Sequence, residues 1–238
     1  MDPLRVCVVV PTYNERENVG PLVGAIEGAA PGVQVLFVDD DSPDGTADEV
    51  RRVAEGRPGV HLVVRKGKRG LGGAHIDGFK HAMDTLGSEV LMEMDADLQH
   101  PASKIPALLA ALTEGYDVVI ASRKVQGGGT AGWSLWRRAV SRGANLLARL
   151  LLGLKVKDCT SGFRALNRGS AEALVGAKLP DSSYSFQVAS LFYLKKRGMK
   201  MTEVPFTFET RKAGKSKMGM GEILQFFVSV VKMRVAGG

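Results

Sequence analysis

Cysteine is scarce in this chain, with only Cys7 and Cys159 among 238 residues. That excludes a disulfide framework and makes a reducing compartment the natural setting. Cys7 lies inside an apolar run and reads as a small buried hydrophobe. Aromatic residues make up 6%. No basic strand is interleaved with aromatics and no zinc-finger spacing occurs, which argues against nucleic acid as a partner. Long apolar runs are also missing. A membrane span needs roughly 20 apolar residues. The run from Asn145 to Leu154 is broken by Arg149, and that from Ile223 to Val235 by Gln225, Ser229, Lys232 and Arg234. Both are too short to cross a bilayer, yet unusually apolar for surface helices. Met1 to Arg5 does not open a secretory signal, and no internal repeat or low-complexity tract stands out.

What is present suits one generous domain with a substantial core: 45% hydrophobic residues and a net charge of +7. Basic residues crowd the second half, at Arg137, Arg138, Arg142, Arg149, Lys195, Lys196, Arg197, Arg211, Lys212, Lys215 and Lys217. They fit anionic lipid or phosphorylated substrates, or simply solvated helix faces.

In the first half, apolar strands alternate with helical patterns. Strands are predicted at Arg5–Val10, Val33–Val38, His61–Val64, Glu89–Met94 and Asp117–Ile120. Helices are predicted near 19–29, 46–55, 71–86 and 105–113. That alternation predicts an α/β fold, a mostly parallel twisted sheet covered by helices. Ligands bind such sheets beyond the carboxyl ends of the strands. Three polar motifs fall at those ends: Pro11-Thr12-Tyr13-Asn14-Glu15, Asp39-Asp40-Asp41-Ser42-Pro43-Asp44, and Asp95-Ala96-Asp97-Leu98-Gln99-His100. Two carboxylates one residue apart at a strand end suit a hard divalent cation beside a phosphate.

In this order, the three motifs resemble family 2 glycosyltransferases. Further segments narrow the resemblance: Trp133-Ser134-Leu135-Trp136-Arg137-Arg138, Asp158-Cys159-Thr160-Ser161-Gly162-Phe163-Arg164, Glu203-Val204-Pro205-Phe206 and Ser216-Lys217. The ordered set is similar to polyprenol (dolichol) phosphate mannose synthases of the compact type. The resemblance implies a GT-A fold and inverting transfer of mannose from GDP-mannose to a polyprenyl (dolichyl) phosphate. Matched to the family's motifs, Pro11, Tyr13, Glu15, Val38 and Asp40 would hold the guanosine. Asp95, Ala96, Asp97 and Gln99 would hold the diphosphate, with Mg²⁺ or Mn²⁺ on Asp95, Asp97 and Gln99. Arg211 and Lys217 would close over the diphosphate, while Arg123, Arg137 and Ser141 would receive the acceptor phosphate. Asp97, Arg123 and Arg137 are the expected catalytic residues. The same fold using UDP-glucose on a lipid phosphate is the alternative. The setting implied is the cytoplasmic face of a membrane, reached alone or through a membrane-embedded partner.

The chemistry of the residues agrees. A phosphate monoester has a second pKa of about 6 and needs no protein base to attack, so His100 is expected to be structural. Arginine matches phosphate with a planar fork. The glycines of Gly67–Ala74 lack the G-x-G-x-x-G spacing and predict a loop approaching the nucleotide. Gly127-Gly128-Gly129 predicts a hinge that positions Trp133 and Arg137. The catalytic domain is expected over 1–212, followed over 213–238 by a flexible segment and an interface helix. Two apolar faces are expected at the membrane: Trp133, Trp136, Leu146, Leu147, Leu150 and Leu151, then Phe226, Phe227, Val230 and Val231. Lys232 and Arg234 would meet anionic head groups.

Overall fold

The computed structural model describes residues 5–67, 70–208 and 220–236. The expected diphosphate residues Arg211 and Lys217 lie outside the described residues, as do Lys68 and Arg69.

Strands and helices alternate as the periodicity predicts. The first half contains β1 (Val6–Thr12), α1 (Arg16–Ala29), β2 (Gln34–Asp39), α2 (Thr46–Ala54), β3 (Val60–Val64), α3 (Leu71–Asp84), β4 (Val90–Glu93), α4 (Ile105–Thr113) and β5 (Val118–Ser122). The second contains β6 (Gly129–Thr130), α5 (Leu135–Leu152), β7 (Arg164–Asn167), α6 (Arg168–Val175), α7 (Ser183–Lys196), β8 (Met201–Pro205), β9 (Thr207–Phe208) and α8 (Met220–Ala236).

Among the described residues, seven strands form one sheet in the order β3-β2-β1-β4-β7-β5-β8. β7 runs antiparallel between β4 and β5, and the other pairings are parallel. Successive side chains of a strand point to opposite faces, so each central strand feeds two cores. Val8, Val10, Val35 and Phe37 pack with α1 and α4. Val9, Leu36, Val38 and Leu91 pack with α3, α6 and α7 on the other face. Continuous apolar runs such as Val6–Val10 follow from this double burial.

The expected boundary at 212 does not isolate α8. Phe226 and Val230 are buried in the same core as α3 and α7, and the Ser185 hydroxyl donates to Ser229 Oγ at 3.1 Å. α8 packs on α5 and α7 as part of the body.

His75 lies wholly buried in that core, stacked on Phe186 and tilted against Phe79. Among the described residues, neither ring nitrogen has a hydrogen-bond partner. Burial pushes its pKa down to about 3 from 6.5. The unfolded chain therefore takes up a proton below pH 6.5 that the folded chain refuses, and stability falls with pH in that window. The loss from this group between pH 7 and pH 5 is about 2 kcal/mol. His75→Phe should remove it. Urea midpoints at the two pH values are expected to lie closer together in the variant, and equal spacing in both proteins would refute the assignment.

Candidate active site

The strand order turns at β1, with β2 on one side and β4 on the other. Loops leaving the strands there diverge and open a crevice. The three motifs predicted from sequence ring this crevice. Among the described residues, the non-glycine residues with positive φ are Asn14 (60°), Asp41 (57°) and Leu98 (61°). One sits in each motif. Such conformations are strained and persist only where their surroundings hold them. The Asn14 N–H donates to Ser42 Oγ at 3.0 Å, and Ser42 donates to Asp39 Oδ2 at 2.6 Å. Thr12 donates to the same carboxylate at 2.9 Å. Across Leu98, the Gln99 N–H donates to Asp97 Oδ1 at 3.1 Å.

The expected guanosine residues are distributed around the first two loops. Pro11, Tyr13 and Glu15 are partly exposed. Glu15 is braced by Asn18, whose amide donates to it at 2.7 Å, and its own N–H donates to Thr46 Oγ1 at 3.0 Å. Asp40 is buried and clasped by Arg65, whose Nε donates to Oδ1 at 2.6 Å. Arg65 also reaches Asp77 at 3.1 Å and the Gly70 carbonyl at 2.9 Å. The side chain of Val38 exposes no surface and joins the core beside Val9, which leaves its backbone as the part that could meet a ligand. Sequence reasoning missed Arg65.

The glycines after Gly67 also serve close packing. A Cβ on Gly72 would lie 2.7 Å from the Pro180 carbonyl and 2.9 Å from Phe186. One on Gly73 would lie 2.9 Å from Arg65. These residues let α3 press against the 180–186 segment and the Arg65 clasp. The expected glycine hinge is likewise a close-packed turn. A Cβ on Gly128 would sit 2.5 Å from the Ser122 carbonyl, and the Gly129 N–H donates to the Phe206 carbonyl at 3.0 Å.

The carboxylates of Asp95 and Asp97 follow β4 at the crevice, and both residues are partly exposed. Ala96 turns its methyl into the core and Gln99 is buried beside it. Two carboxylates with a neighbouring amide fit Mg²⁺ or Mn²⁺, which commonly take one or two protein carboxylates and complete their shell with substrate phosphates and water. His100 is buried and lines the cavity shared with Arg137 and Ser141. It stacks on Phe163 and meets Phe206 and Phe208 edge-on. Burial holds its pKa down to about 4, so the ring is neutral. Its Nδ1 accepts from the Asp95 N–H at 3.1 Å. This assigns the proton to Nε2, which lies 3.8 Å from Asp95 Oδ2. The ring thus backs the carboxylate.

The expected acceptor residues share a cavity lined by Asp95, Arg123, Trp133, Arg137, Ser141, Thr160, Tyr184 and Gln187, among others. Arg137 and Ser141 lie four residues apart on α5 and face the same way. The Ser134 hydroxyl caps this helix by accepting from the Arg137 N–H. The Arg137 guanidinium lies 3.9 Å from the Trp133 ring centroid, and that of Arg123 lies 5.4 Å from it. Trp133 packs on Phe208 and orients the two arginines.

Arg123 does not present the free fork expected for phosphate. Its Nε and Nη2 each reach Asp158 at 2.7 Å, its backbone N–H reaches the same carboxylate at 2.9 Å, and Nη2 also donates to Thr160. Burial alone would push the Asp158 carboxyl up, but the charge and hydrogen bonds of Arg123 hold it below its ordinary value. Asp158 stood in a recognisable motif, but no local pattern reveals a partner 35 residues away.

Deeper still, Glu93 faces Arg164 across β4 and β7. Arg164 is anchored by Ser190 and the carbonyls of Cys159 and Gln187. A Cβ on Gly162 would lie 3.3 Å from Gln187 Nε2 and 3.6 Å from Asp95 Oδ1. A side chain there would press on the Gln187 amide, while the Asp95 carboxylate lies at ordinary contact distance.

The family profile described as Glycosyl transferase family 2 matches residues 7–175. The chain is 39% identical to an undecaprenyl-phosphate mannosyltransferase of Micrococcus luteus, over 98% of this chain and 95% of that protein. It is 40% identical to a polyprenol monophosphomannose synthase of Mycolicibacterium smegmatis, over 98% and 88% of the two chains. Among solved structures, a glucosyl-3-phosphoglycerate synthase of Mycobacterium tuberculosis superposes with a TM-score of 0.74 at 18% identity, covering 97% of this chain and 80% of that one. A mannosyltransferase of Pyrobaculum calidifontis, solved with GDP-Man and Mn²⁺, gives 0.65 at 20% identity, covering 98% and 65%. These likenesses establish the GT-A type of fold. The sequence relationships establish that the chain belongs to glycosyl transferase family 2, among its polyprenyl-phosphate mannosyltransferases.

Proposed function

We propose that the chain transfers mannose from GDP-mannose to a polyprenyl (dolichyl) phosphate with inversion, giving the polyprenyl phosphate β-mannose. One observation carries this reading: Asp95 of the acidic motif lines the same cavity as Arg137 and Ser141. Donor diphosphate and acceptor phosphate would meet there. Asp95, Asp97 and Gln99 would hold Mg²⁺ or Mn²⁺, which would offset charge developing on the departing GDP. Pro11, Tyr13, Glu15, Asp40 and the backbone of Val38 would bind the guanosine. Arg137, held flat by Trp133, and Ser141 would orient the acceptor phosphate, with Arg123 fixed behind them by Asp158. The acceptor is mostly dianionic at neutral pH. Its oxygen forms the new bond to the anomeric carbon as the bond from that carbon to GDP breaks. No proton has to be removed, in keeping with a neutral, stacked His100. The test is donor-dependent transfer to a short polyprenyl phosphate, with GDP-mannose and UDP-glucose compared, each with and without Mn²⁺ or Mg²⁺. Transfer from UDP-glucose alone would overturn the donor assignment.

Arg137→Lys keeps the charge but loses the fork and much of the stacking. The apparent acceptor requirement is expected to rise about tenfold or more, the scale of one lost charged hydrogen bond. GDP-mannose affinity by calorimetry should hardly change. Equal losses in both would move Arg137 to the donor.

We place the reaction at the cytoplasmic face of a membrane. No described helix is long and apolar enough to cross one. The polyprenyl tail cannot leave the bilayer cheaply, since each CH₂ exposed costs about 0.8 kcal/mol. Leu135, Trp136, Leu146 and Leu150 of α5 are exposed, with Phe227, Val228, Val231 and Val235 of the adjoining α8. This surface is rotated from the expected one because Phe226 and Val230 turn into the core. Replacing Phe227 and Val231 by Glu should weaken binding to anionic vesicles and lower transfer to long acceptors, with transfer to short soluble acceptors retained. Equal losses on both acceptors would refute docking through this face.

A further inference from the structure

Arg123 separates two cavities. One is the acceptor cavity, and the other is lined by Arg123, Lys124, Gly128, Thr130, Arg138 and Arg142, with no carboxylate among the described residues that line it. The floor is close-packed backbone, since Gly128 leaves no room for a Cβ against the Ser122 carbonyl. Arg123 is already neutralised by Asp158. Arg138 donates to the Thr130 carbonyl at 3.2 Å, which points its guanidinium at the pocket without spending its charge. Burial holds the Lys124 ammonium below its ordinary pKa, with Asp158 opposing and Arg123 and Arg142 adding to the effect. Cations brought together around one polar pocket repel each other, and an anion between them relieves that repulsion.

We infer that this pocket binds the phosphate of an anionic membrane phospholipid, as a site separate from the acceptor phosphate. Its position on α5 identifies the source. Arg138 and Arg142 form an i, i+4 stripe. On one side of that stripe lie the buried Asn145 and Ala148, and on the other the exposed Leu135 and Leu146. With the apolar face of α5 in the bilayer, the stripe stands at head-group depth, where each Lys or Arg strengthens attachment to an anionic surface. A bound head group would fix the rotation of α5, and with it the direction in which Arg137 and Ser141 meet an acceptor rising from the same leaflet.

The inference rests on membrane association of the chain, and its test separates the two. Full-length protein is mixed with phosphatidylcholine vesicles with or without phosphatidylglycerol, and the bound fraction is measured by flotation. The variant carries Arg138→Ala and Arg142→Ala. The control carries Lys178→Ala and Lys200→Ala, an equal loss of charge from exposed sites remote from the pocket. Wild type and control should favour phosphatidylglycerol vesicles. The Arg variant should lose about tenfold or more of that affinity and still glycosylate a short soluble acceptor at the wild-type rate. Inorganic phosphate at millimolar levels should not displace wild type from vesicles. Equal losses in variant and control, or no loss in the variant, overturn the site. Slower transfer by the variant to the soluble acceptor reassigns the pocket to the acceptor. Displacement by inorganic phosphate makes it a soluble-anion site instead. Wild type that binds neither vesicle overturns the membrane reading, and this inference with it.

Discussion

Asp97→Asn is expected to reduce mannosyl transfer by two to three orders of magnitude, at any concentration of Mn²⁺ or Mg²⁺. The estimate follows from losing one charged group beside a departing diphosphate, about 3–4 kcal/mol of transition-state stabilisation. The substitution is clean because of how the loop is built. Asp97 Oδ1 accepts the Gln99 N–H across the left-handed Leu98, and an asparagine oxygen can accept the same hydrogen bond. The loop conformation should survive while the charge is lost. An unchanged urea midpoint together with collapsed turnover would show this. Near-normal turnover by the folded variant would remove Asp97 from the site.

The largest effect on stability is expected from Asp158→Asn. The side chain of Asp158 is completely buried and that of Arg123 nearly so. The carboxylate receives Nε and Nη2 of the guanidinium, one edge of its fork, and a backbone N–H. Removing one partner of a buried pair leaves an uncompensated charge and costs about 3–5 kcal/mol. The urea midpoint should fall sharply. Transfer should fall as well, because Arg123 and the Trp133 ring beside it lose their anchor. Adding Arg123→Gln to Asp158→Asn should restore part of the stability, since no buried charge is then stranded, but not the activity. A single variant as stable as wild type would mean that the pair contributes nothing to holding the cavity wall.

The local patterns of the chain were enough for the first half. A strand that is apolar at every position and a helix with its own spacing are written over ten or so neighbouring residues. β1 through β5 and the helices between them accordingly appear close to where they were expected. The acidic and polar motifs were legible for the same reason: a ligand site at a strand end is a short segment with the wrong polarity for a core. The order of those motifs was also enough to indicate the family.

Other features depended on residues far apart in the chain. β7 enters the sheet antiparallel, and four residues carry little periodic signal. Arg65 and Asp40 meet across 25 residues, Arg123 and Asp158 across 35, and nothing near either arginine announces its partner. Arg123 could be picked as a phosphate ligand from its motif, but only the folded chain shows its fork closed on a carboxylate. The chain puts Trp133 close to Arg137 in sequence, but only the fold lays the guanidinium on its ring. α8 is apolar around most of its circumference, so composition cannot tell which side is buried. Packing against α5 and α7 chose Phe226 and Val230 for the core and left Phe227 and Val231 outside. The sequence by itself determined the alternating elements, the chemistry at the strand ends and the family, because these are encoded between neighbours. The tertiary structure decided which charges are paired, which rings orient them and which helix faces remain exposed, because each depends on contacts that exist only once distant segments have packed.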